Sequence, residues 1–279
     1  MERVNKDGLT EKEFLEQYQP GNYERPSVTV DMLIFSVNET RDTLKVLLIK
    51  RKDHPYMDCW AIPGGFMNMD ESAGEAARRE LEEETGLTGV YMEQLYTFTN
   101  PGRDPRMRIL SIAYMALIAE TDVTAGDDAS DAAWFDIRQS EDKIFLCNEQ
   151  RGVTMEYTVK DNVFLNGVLT IDDYYLETEG FPRFAFDHQN LFYTGLMRLR
   201  NKAEYTPLLF NLMPAQFTLA ELQKVYELVL NKKLYKMSLK RMVEPYIEMT
   251  GEKMERRGRS SGKPPMFYRY SRKKEDAEK

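Results

Sequence analysis

The segment from Gly65 to Leu87 constrains this chain more than any other part of it. It reads GFMNMDESAGEAARRELEEETGL. Ser72, followed by a glutamate three residues later, forms a capping box that begins a helix, and Gly86 is the residue type that most often ends one. The segment therefore predicts a glycine-containing turn followed by a helix that ends at Thr85.

Three glutamates of this predicted helix share one narrow face. At about 100° per residue, Glu83 lies about 60° from Glu80 and Glu84 about 40° to the other side. Like charges at this spacing repel each other, and divalent cations that prefer oxygen ligands neutralise them. Arg79 lies four residues before Glu83 and can pair with it. The face predicts a site for Mg²⁺, with Mn²⁺ also possible; the alternative is a glutamate-rich helix face in solvent.

The spacing of the charged and glycine residues in this segment resembles the signature of the Nudix family. That signature runs glycine, five residues, glutamate, seven residues, Arg-Glu-aliphatic, one residue, Glu-Glu, one residue, and glycine-aliphatic. Every fixed position of the signature is filled here. The matching residues are Gly65, Glu71, Arg79, Glu80, Leu81, Glu83, Glu84, Gly86 and Leu87.

The resemblance implies Mg²⁺-dependent hydrolysis of a nucleoside diphosphate linked to another group, which is chemistry on an acid anhydride. The implied metal ligands are Glu80, Glu83 and Glu84, with Gly65 allowing a backbone carbonyl to approach the metal. Glu83 or Glu84 is the candidate catalytic base, and Arg79 orients the catalytic glutamate. Some Nudix enzymes take the base from a later acidic loop, where this chain has Asp127, Asp128 and Asp131.

The substrate is expected to be ADP-ribose or another nucleotide sugar. Pro101 follows Gly86 by fifteen residues, an offset that resembles the ADP-ribose pyrophosphatase subgroup, although a loop proline is the plain alternative. Arginines around it can bind a diphosphate or a ribose phosphate. The predicted substrate-binding residues are Arg51, Arg103, Arg106 and Arg108.

Composition divides the chain into an acidic body and a basic end. Residues 208–279 hold 16 Lys and Arg against 9 Asp and Glu, which leaves 22 basic and 37 acidic residues in the rest of the chain. A length of 279 residues suits two domains. With only Cys59 and Cys147, no apolar run long enough for a membrane span and no signal peptide pattern, we expect a reduced, cytoplasmic protein.

The pattern of elements predicts an α+β chain with two domains. Strands at 27–37, 44–50, 91–100, 109–119 and 132–137, together with the helix described above, predict a Nudix α/β/α sandwich with a mixed sheet over residues 1–184. A short helix is expected at Thr10–Tyr18. Within this domain, residues 138–183 form a β-rich insertion that suggests no function, and a helix over 185–205 links the sandwich to a domain over 206–279.

Residues 206–279 predict a winged helix-turn-helix domain. The amphipathic stretch Thr218–Leu230 begins with a second capping box, and a further helix is expected from about Ser238 to Ile247, kinked or shortened by Pro245. Two strands joined by a basic tip follow. The predicted DNA-binding residues are Lys236, Lys240 and Arg241 at the recognition helix and Arg256, Arg257, Arg259 and Lys263 in the wing.

The C-terminal half resembles the Nudix-related transcriptional regulators, on the strings MRLRNKAEYTPLLFNLMPAQFTLAELQKVYE and KPPMFYRY. This resemblance implies a homodimer that binds double-stranded DNA and responds to a nucleotide such as ADP-ribose. Because the Nudix signature is intact, hydrolysis remains chemically possible. Three alternatives stay open: hydrolysis coupled to DNA binding, ligand sensing with little or no turnover, and a hydrolase whose C-terminal module only builds the dimer or carries a solvated basic tail.

Overall fold

The computed structural model describes residues 3–21, 24–119, 132–140, 142–161, 174–253 and 265–271. Near the N-terminus, helix α1 spans Glu11–Gln17. The Thr10 side chain accepts a hydrogen bond from the Glu13 backbone, and the Glu13 side chain accepts one from the Thr10 backbone. This capping box explains why the helix begins there and confirms the short helix expected from the sequence.

A mixed sheet forms the body of the N-terminal domain, in the strand order β10-β9-β8-β7-β2-β1-β6-β5. Strand β1 runs parallel to β6 and antiparallel to β2, while the short strands β3 and β4 pair with β2 and β1. The strands are β1 (Ser27–Val37), β2 (Leu44–Lys50), β3 (Trp60–Ala61), β4 (Gly64–Phe66), β5 (Tyr91–Phe98), β6 (Ile109–Leu117), β7 (Ala132–Ser140), β8 (Lys143–Asn148), β9 (Val153–Asp161) and β10 (Tyr174–Glu177).

Strand β1 lies at the centre because its side chains are apolar on both faces of the sheet. Val30 and Met32 belong to a core cluster on one face, whereas Leu33 and Phe35 belong to the cluster on the other. This split follows the two-residue repeat of a strand. Both faces must therefore be covered, which requires two helical layers.

Helix α2 (Ala73–Thr85) covers one face and helix α3 (His188–Ala203) the other. The buried side of α2 carries Ala76, Ala77 and Leu81, and small residues let the helix approach the sheet closely. On α3, Gly195 lies against Leu33 so tightly that a Cβ would be 1.9 Å from a Leu33 methyl carbon. The α/β/α sandwich and the mixed sheet expected from the sequence are confirmed.

The C-terminal domain contains a helix-turn-helix and a three-stranded sheet in the order β11-β13-β12. A 3-10 helix at Leu208–Leu212 precedes these elements. They are β11 (Phe217–Thr218), α4 (Leu219–Leu230), α5 (Lys236–Val243), β12 (Ile247–Lys253) and β13 (Met266–Tyr270). The predicted winged helix is confirmed, but the expected end of its second helix near Ile247 is wrong. Helix α5 stops at Val243 because Pro245 cannot continue it, and a 3-10 turn leads into β12.

Helix α3, expected as a linker, also joins the two domains through direct contacts. Arg200 of α3 donates a hydrogen bond to the carbonyl of Val229 in α4 (3.0 Å). Arg41, in the turn between β1 and β2, pairs with Glu221 of α4 at 3.1 Å. One apolar cluster runs from the sheet through Leu196 of α3 into α4. The sandwich and the winged helix thus share a continuous core.

The β-rich stretch after β7 extends the sheet rather than forming a separate unit. Strands β8, β9 and β10 add to β7 in antiparallel order. Residues 162–173 of the predicted β-rich insertion lie outside the described residues. Cys59 and Cys147 are free and buried. Among the described helices, none is long and apolar enough to cross a membrane.

Candidate functional site

Helix α2 holds the predicted glutamates in place because both of its ends are fixed. Ser72 accepts a hydrogen bond from the Glu75 backbone and completes a capping box. Gly86 ends the helix in the left-handed conformation with φ of 68°, which glycine adopts without steric cost. Both boundaries agree with the sequence-based prediction. The face that bears Glu80, Glu83 and Glu84 is therefore fixed relative to the sheet.

Arg79 is the centre of the polar contacts on this face. Its guanidinium donates to Glu71 (2.8 and 3.1 Å), to Glu80 (2.7 Å) and to Glu83 (3.1 Å), and to the backbone carbonyl of Phe66 (3.2 Å). These bonds lower the pKa of Glu71 to about 2 and raise that of Arg79. The predicted Arg79–Glu83 pair is confirmed. Glu71 matches the signature, but its two hydrogen bonds from Arg79 were not predicted.

Glu80 is the buried member of the three glutamates, with its side chain 9% exposed. Burial raises its pKa, and the hydrogen bond from Arg79 opposes that effect. The carboxylate lies directly against Gly65, where a Cβ would be 2.2 Å from Glu80 Oε1. Gly65 is thus required at this position because it leaves room for the carboxylate of Glu80.

The other two glutamates differ in exposure, since Glu83 is 58% exposed and Glu84 is half-buried. Among the described residues, no three acidic, His or Cys side chains already form a cation site. The donor set nevertheless fits Mg²⁺, because carboxylate oxygens and the backbone beside Gly65 are hard ligands. The close approach of the Glu80 carboxylate to Gly65 supports the same assignment, because it brings carboxylate oxygens next to that backbone. Glu80, Glu83, Glu84 and Gly65 are the residues that would hold the metal.

Two of the predicted substrate arginines, Arg51 and Arg106, meet at one aromatic ring. The Arg51 guanidinium lies 4.8 Å from the centre of the Phe186 ring, and that of Arg106 lies 5.8 Å from it. Arg106 also lies 5.9 Å from the ring of Phe66, whose carbonyl binds Arg79. Burial, and next the charge of Arg106, lower the pKa of Arg51. This arginine pair therefore lies beside the acidic helix and presents positive charge there.

Phe186 is a residue that the sequence-based prediction missed. It precedes α3 and has a positive φ of 53°, a conformation uncommon for a bulky residue. Its ring packs against Tyr56 at 4.8 Å between ring centres. Nothing in the local sequence marks Phe186 as a neighbour of Arg51, because more than a hundred residues separate them.

The remaining two predicted substrate arginines lie elsewhere. Arg103 points into the protein, where its side chain is 5% exposed and is bonded to Asp187. Arg108 is exposed, and its backbone carbonyl accepts a hydrogen bond from Ser27. The four arginines thus do not form one cluster, and only Arg51 and Arg106 share an aromatic neighbour.

The predicted recognition helix presents basic side chains to solvent. Lys236, Lys240 and Arg241 all lie on α5 and are exposed, and none of them makes an ion pair within the described parts of the chain. Leu239 and Val243 anchor the opposite face of the helix in the core. The wing residues Arg256, Arg257, Arg259 and Lys263, like the acidic-loop residues Asp127, Asp128 and Asp131, lie outside the described residues.

Comparison with known proteins agrees with both halves of this structure. A NUDIX domain model matches residues 26–155, and an NrtR DNA-binding winged helix domain model matches residues 209–270. Among curated relatives, the ADPR responsive transcriptional repressor NtrR of Acinetobacter baylyi is 32% identical over 94% of this chain and 89% of its own length. The ADP-ribose pyrophosphatase of Methanocaldococcus jannaschii is 41% identical over 41% of this chain and 64% of its own length.

Solved structures share the whole arrangement. A MutT/nudix family protein from Enterococcus faecalis is 32% identical, with a TM-score of 0.75 and coverage of 94% of both chains. NrtR of Shewanella oneidensis, complexed with a 27mer DNA, is 29% identical, with a TM-score of 0.63 and coverage of 88% of this chain and 93% of that one. The chain therefore belongs to the NrtR family, in which a NUDIX domain is joined to a winged helix DNA-binding domain.

Proposed function

We propose that this protein is a DNA-binding transcriptional regulator whose NUDIX domain binds ADP-ribose and hydrolyses it with Mg²⁺. The observation that carries the hydrolytic part is the contact of one arginine, Arg79, with Glu71, Glu80 and Glu83 beside a glycine that admits no side chain. A solvated helix face would need neither the buried carboxylate nor the close approach of Gly65.

Each residue of the site has a distinct part in this chemistry. Bound Mg²⁺ would supply charge neutralisation at the diphosphate and a more acidic water. Glu83 or Glu84 accepts a proton from the attacking water, and Arg79 keeps Glu83 in position. Attack at phosphorus breaks one bond of the P–O–P bridge and yields AMP and ribose 5-phosphate. Arg51 and Arg106 bind the negative charge of the substrate.

ADP-ribose is the favoured substrate for two reasons. Relatives with this NUDIX domain include an ADP-ribose pyrophosphatase and an ADPR responsive repressor. In this chain, two guanidiniums and two aromatic rings beside the acidic helix suit a ligand that combines phosphates with a flat base. Stacking and charge pairing are available within the same site.

Incubation with ADP-ribose and Mg²⁺, followed by chromatography of the products, tests the enzymatic part. We expect AMP and ribose 5-phosphate from the unaltered protein and none from Glu83→Gln. Glu149→Gln is a matched control, because Glu149 also pairs with an arginine (Arg138, 2.7 Å). It lies in the turn between β8 and β9, and β8 is separated from β1, against which α2 packs, by β7 and β2. Absence of products across a panel of nucleotide sugars would refute turnover and leave the alternative of a sensor that binds ADP-ribose without cleaving it.

The regulatory part rests on the exposed basic face of α5. Lysines and arginines on a recognition helix neutralise phosphates, while side chains at its N-terminus read bases. A gel shift with the DNA upstream of the protein's own gene, repeated with ADP-ribose, tests this part. We expect a shifted band, and the protein concentration that shifts half of the DNA should change when ADP-ribose is added. Binding that is indifferent to both DNA sequence and ligand would refute it.

A further inference from the structure

The loop that follows β5 is joined to the start of α3 by an ion pair that the proposed chemistry does not use, between the buried Arg103 and the half-buried Asp187. Arg103 donates two hydrogen bonds to Asp187, from Nε to Oδ2 at 3.0 Å and from Nη2 to Oδ1 at 2.8 Å. Its Nη2 also lies 3.5 Å from Asp31 in β1. A two-bonded arginine–carboxylate pair of this kind fixes orientation as well as position.

Asp187 makes this contact in place of the local one that its position offers. It occupies the N-cap of α3, where an aspartate normally accepts a hydrogen bond from the first turn of the helix. Here it makes no side-chain capping bond. Its carboxylate instead holds Arg103, 84 residues away in the chain. The start of α3 is therefore tied to the loop rather than capped by its own residue.

Residues close to this pair belong to the proposed nucleotide site, which is the group formed by Arg51, Arg106 and Phe186 beside α2. Arg106, three residues after Arg103, is held by Asp104 at 2.8 Å and lies over the Phe186 ring. Phe186 in turn immediately precedes Asp187. The loop and the start of α3 thus meet twice, once through the Arg103–Asp187 pair and once through Arg106 and the Phe186 ring.

Helix α3 carries this connection to the DNA-binding domain. It has 16 residues, which corresponds to a rod about 24 Å long. At its far end, Arg200 donates a hydrogen bond to the Val229 carbonyl of α4, and the apolar core is continuous from α3 into α4. A displacement of the first turn of α3 therefore reaches the helix-turn-helix through packed structure.

From this arrangement we propose that Arg103 and Asp187 are positioning residues that couple occupancy of the nucleotide site to DNA affinity. This inference rests on the proposed function. A ligand that engages Arg106 and Phe186 acts on both sides of the pair. Because Arg103 is buried and is bonded twice to Asp187, the loop and the first turn of α3 move as one unit. Without the pair, the loop can adjust to the ligand while α3 stays in place.

The test measures the Kd for DNA by fluorescence anisotropy, using the full chain and its own upstream DNA, with and without saturating ADP-ribose. For the unaltered protein we expect the two values to differ by about 5- to 150-fold, the usual range of such coupling. In Asp187→Asn we expect the ratio of the two Kd values to fall below about twofold. This variant should still bind ADP-ribose alone and DNA alone. The control Glu149→Gln keeps the unaltered ratio.

Arg103→Lys provides the second variant in case Asp187→Asn does not fold. It keeps the positive charge beside Asp31 but cannot form two parallel bonds, so its ratio also falls. A folded Arg103→Lys or Asp187→Asn protein with the unaltered ratio overturns the inference. If the unaltered protein itself shows a ratio of one, the proposed regulation by ligand fails first, and the inference falls with it.

Discussion

Replacement of Gly65 by alanine tests whether the close approach of Glu80 organises the acidic site. The added Cβ would lie 2.2 Å from Glu80 Oε1 and 2.7 Å from its Cδ. Ordinary carbon–oxygen contacts are longer by more than about 1 Å, so the carboxylate has to move. The move breaks the 2.7 Å hydrogen bond between Arg79 and Glu80.

The expected loss of stability in Gly65→Ala follows from that bond and from crowding. A buried hydrogen bond to a charged group contributes about 1.5–3 kcal/mol, and overpacking of a filled site costs about 1–3 kcal/mol. Because relief of the clash is what breaks the bond, the two are not additive, and we expect about 2–3 kcal/mol. This corresponds to a fall in Tm of about 4–12 °C for a chain of this size.

Thermal unfolding and the rate of Mg²⁺-dependent ADP-ribose cleavage are the two assays. Misplacement of a catalytic group by about 1 Å lowers the rate by about 100-fold. Gly180→Ala is the matched control, because a Cβ there would make an ordinary contact of 3.6 Å with Thr178 and should change stability by less than about 0.5 kcal/mol. Equal Tm and equal activity in the two variants would refute the reasoning.

Three further changes test other parts of the structure. Gly195→Ala places a Cβ 1.9 Å from a Leu33 methyl carbon, so urea unfolding should show a loss of about 1–3 kcal/mol; an unchanged midpoint contradicts this packing. Lys240→Ala should weaken DNA binding on every sequence and reduce the salt slope by about 0.9; an unchanged slope removes Lys240 from the interface. Hydrogen bonds from Gln223, Lys233 and a backbone N–H lower the pKa of Glu227 to about 2. Stability from Glu227 is therefore present above pH 4.5 and is lost as pH falls towards 2, and in Glu227→Gln the unfolding free energy should vary less over that window.

The sequence predicted the elements of the site but not the contacts between them. The capping box at Ser72 and the terminator at Gly86 are local signals, and the structure confirms both boundaries of α2. By contrast, Glu71 precedes the helix, so helical spacing alone could not show that Arg79 binds it. The position of Phe186 beside Arg51 depends on the path of the chain before α3, which no local pattern encodes.

The arginines of the 100–108 loop show the same limit. From the sequence alone, a phosphate-binding role is equally plausible for Arg103, Arg106 and Arg108. The structure turns Arg103 inward because Asp187 and Asp31 meet it there, whereas Arg106 stays at the surface beside an aromatic ring. Only the tertiary arrangement of β1, the loop and α3 separates the buried Arg103 from the exposed Arg106.

The winged helix illustrates both what could and what could not be predicted. The cap at Thr218 placed α4 correctly. The second helix was expected to continue to about Ile247, but the chain ends it at Val243 and turns at Pro245 into β12. The sequence does not show whether a proline ends a helix or only kinks it. In this chain the residues after Pro245 pair with β13 instead of continuing the helix.

Titration of the protein with Mn²⁺, followed by electron paramagnetic resonance, tests the central claim most directly. With ADP-ribose present, we expect the unaltered protein to bind Mn²⁺ and Glu80→Gln to lose that binding, while Glu149→Gln retains it. Equal Mn²⁺ binding by the unaltered protein and Glu80→Gln would contradict the assignment of the α2 glutamates as the metal site.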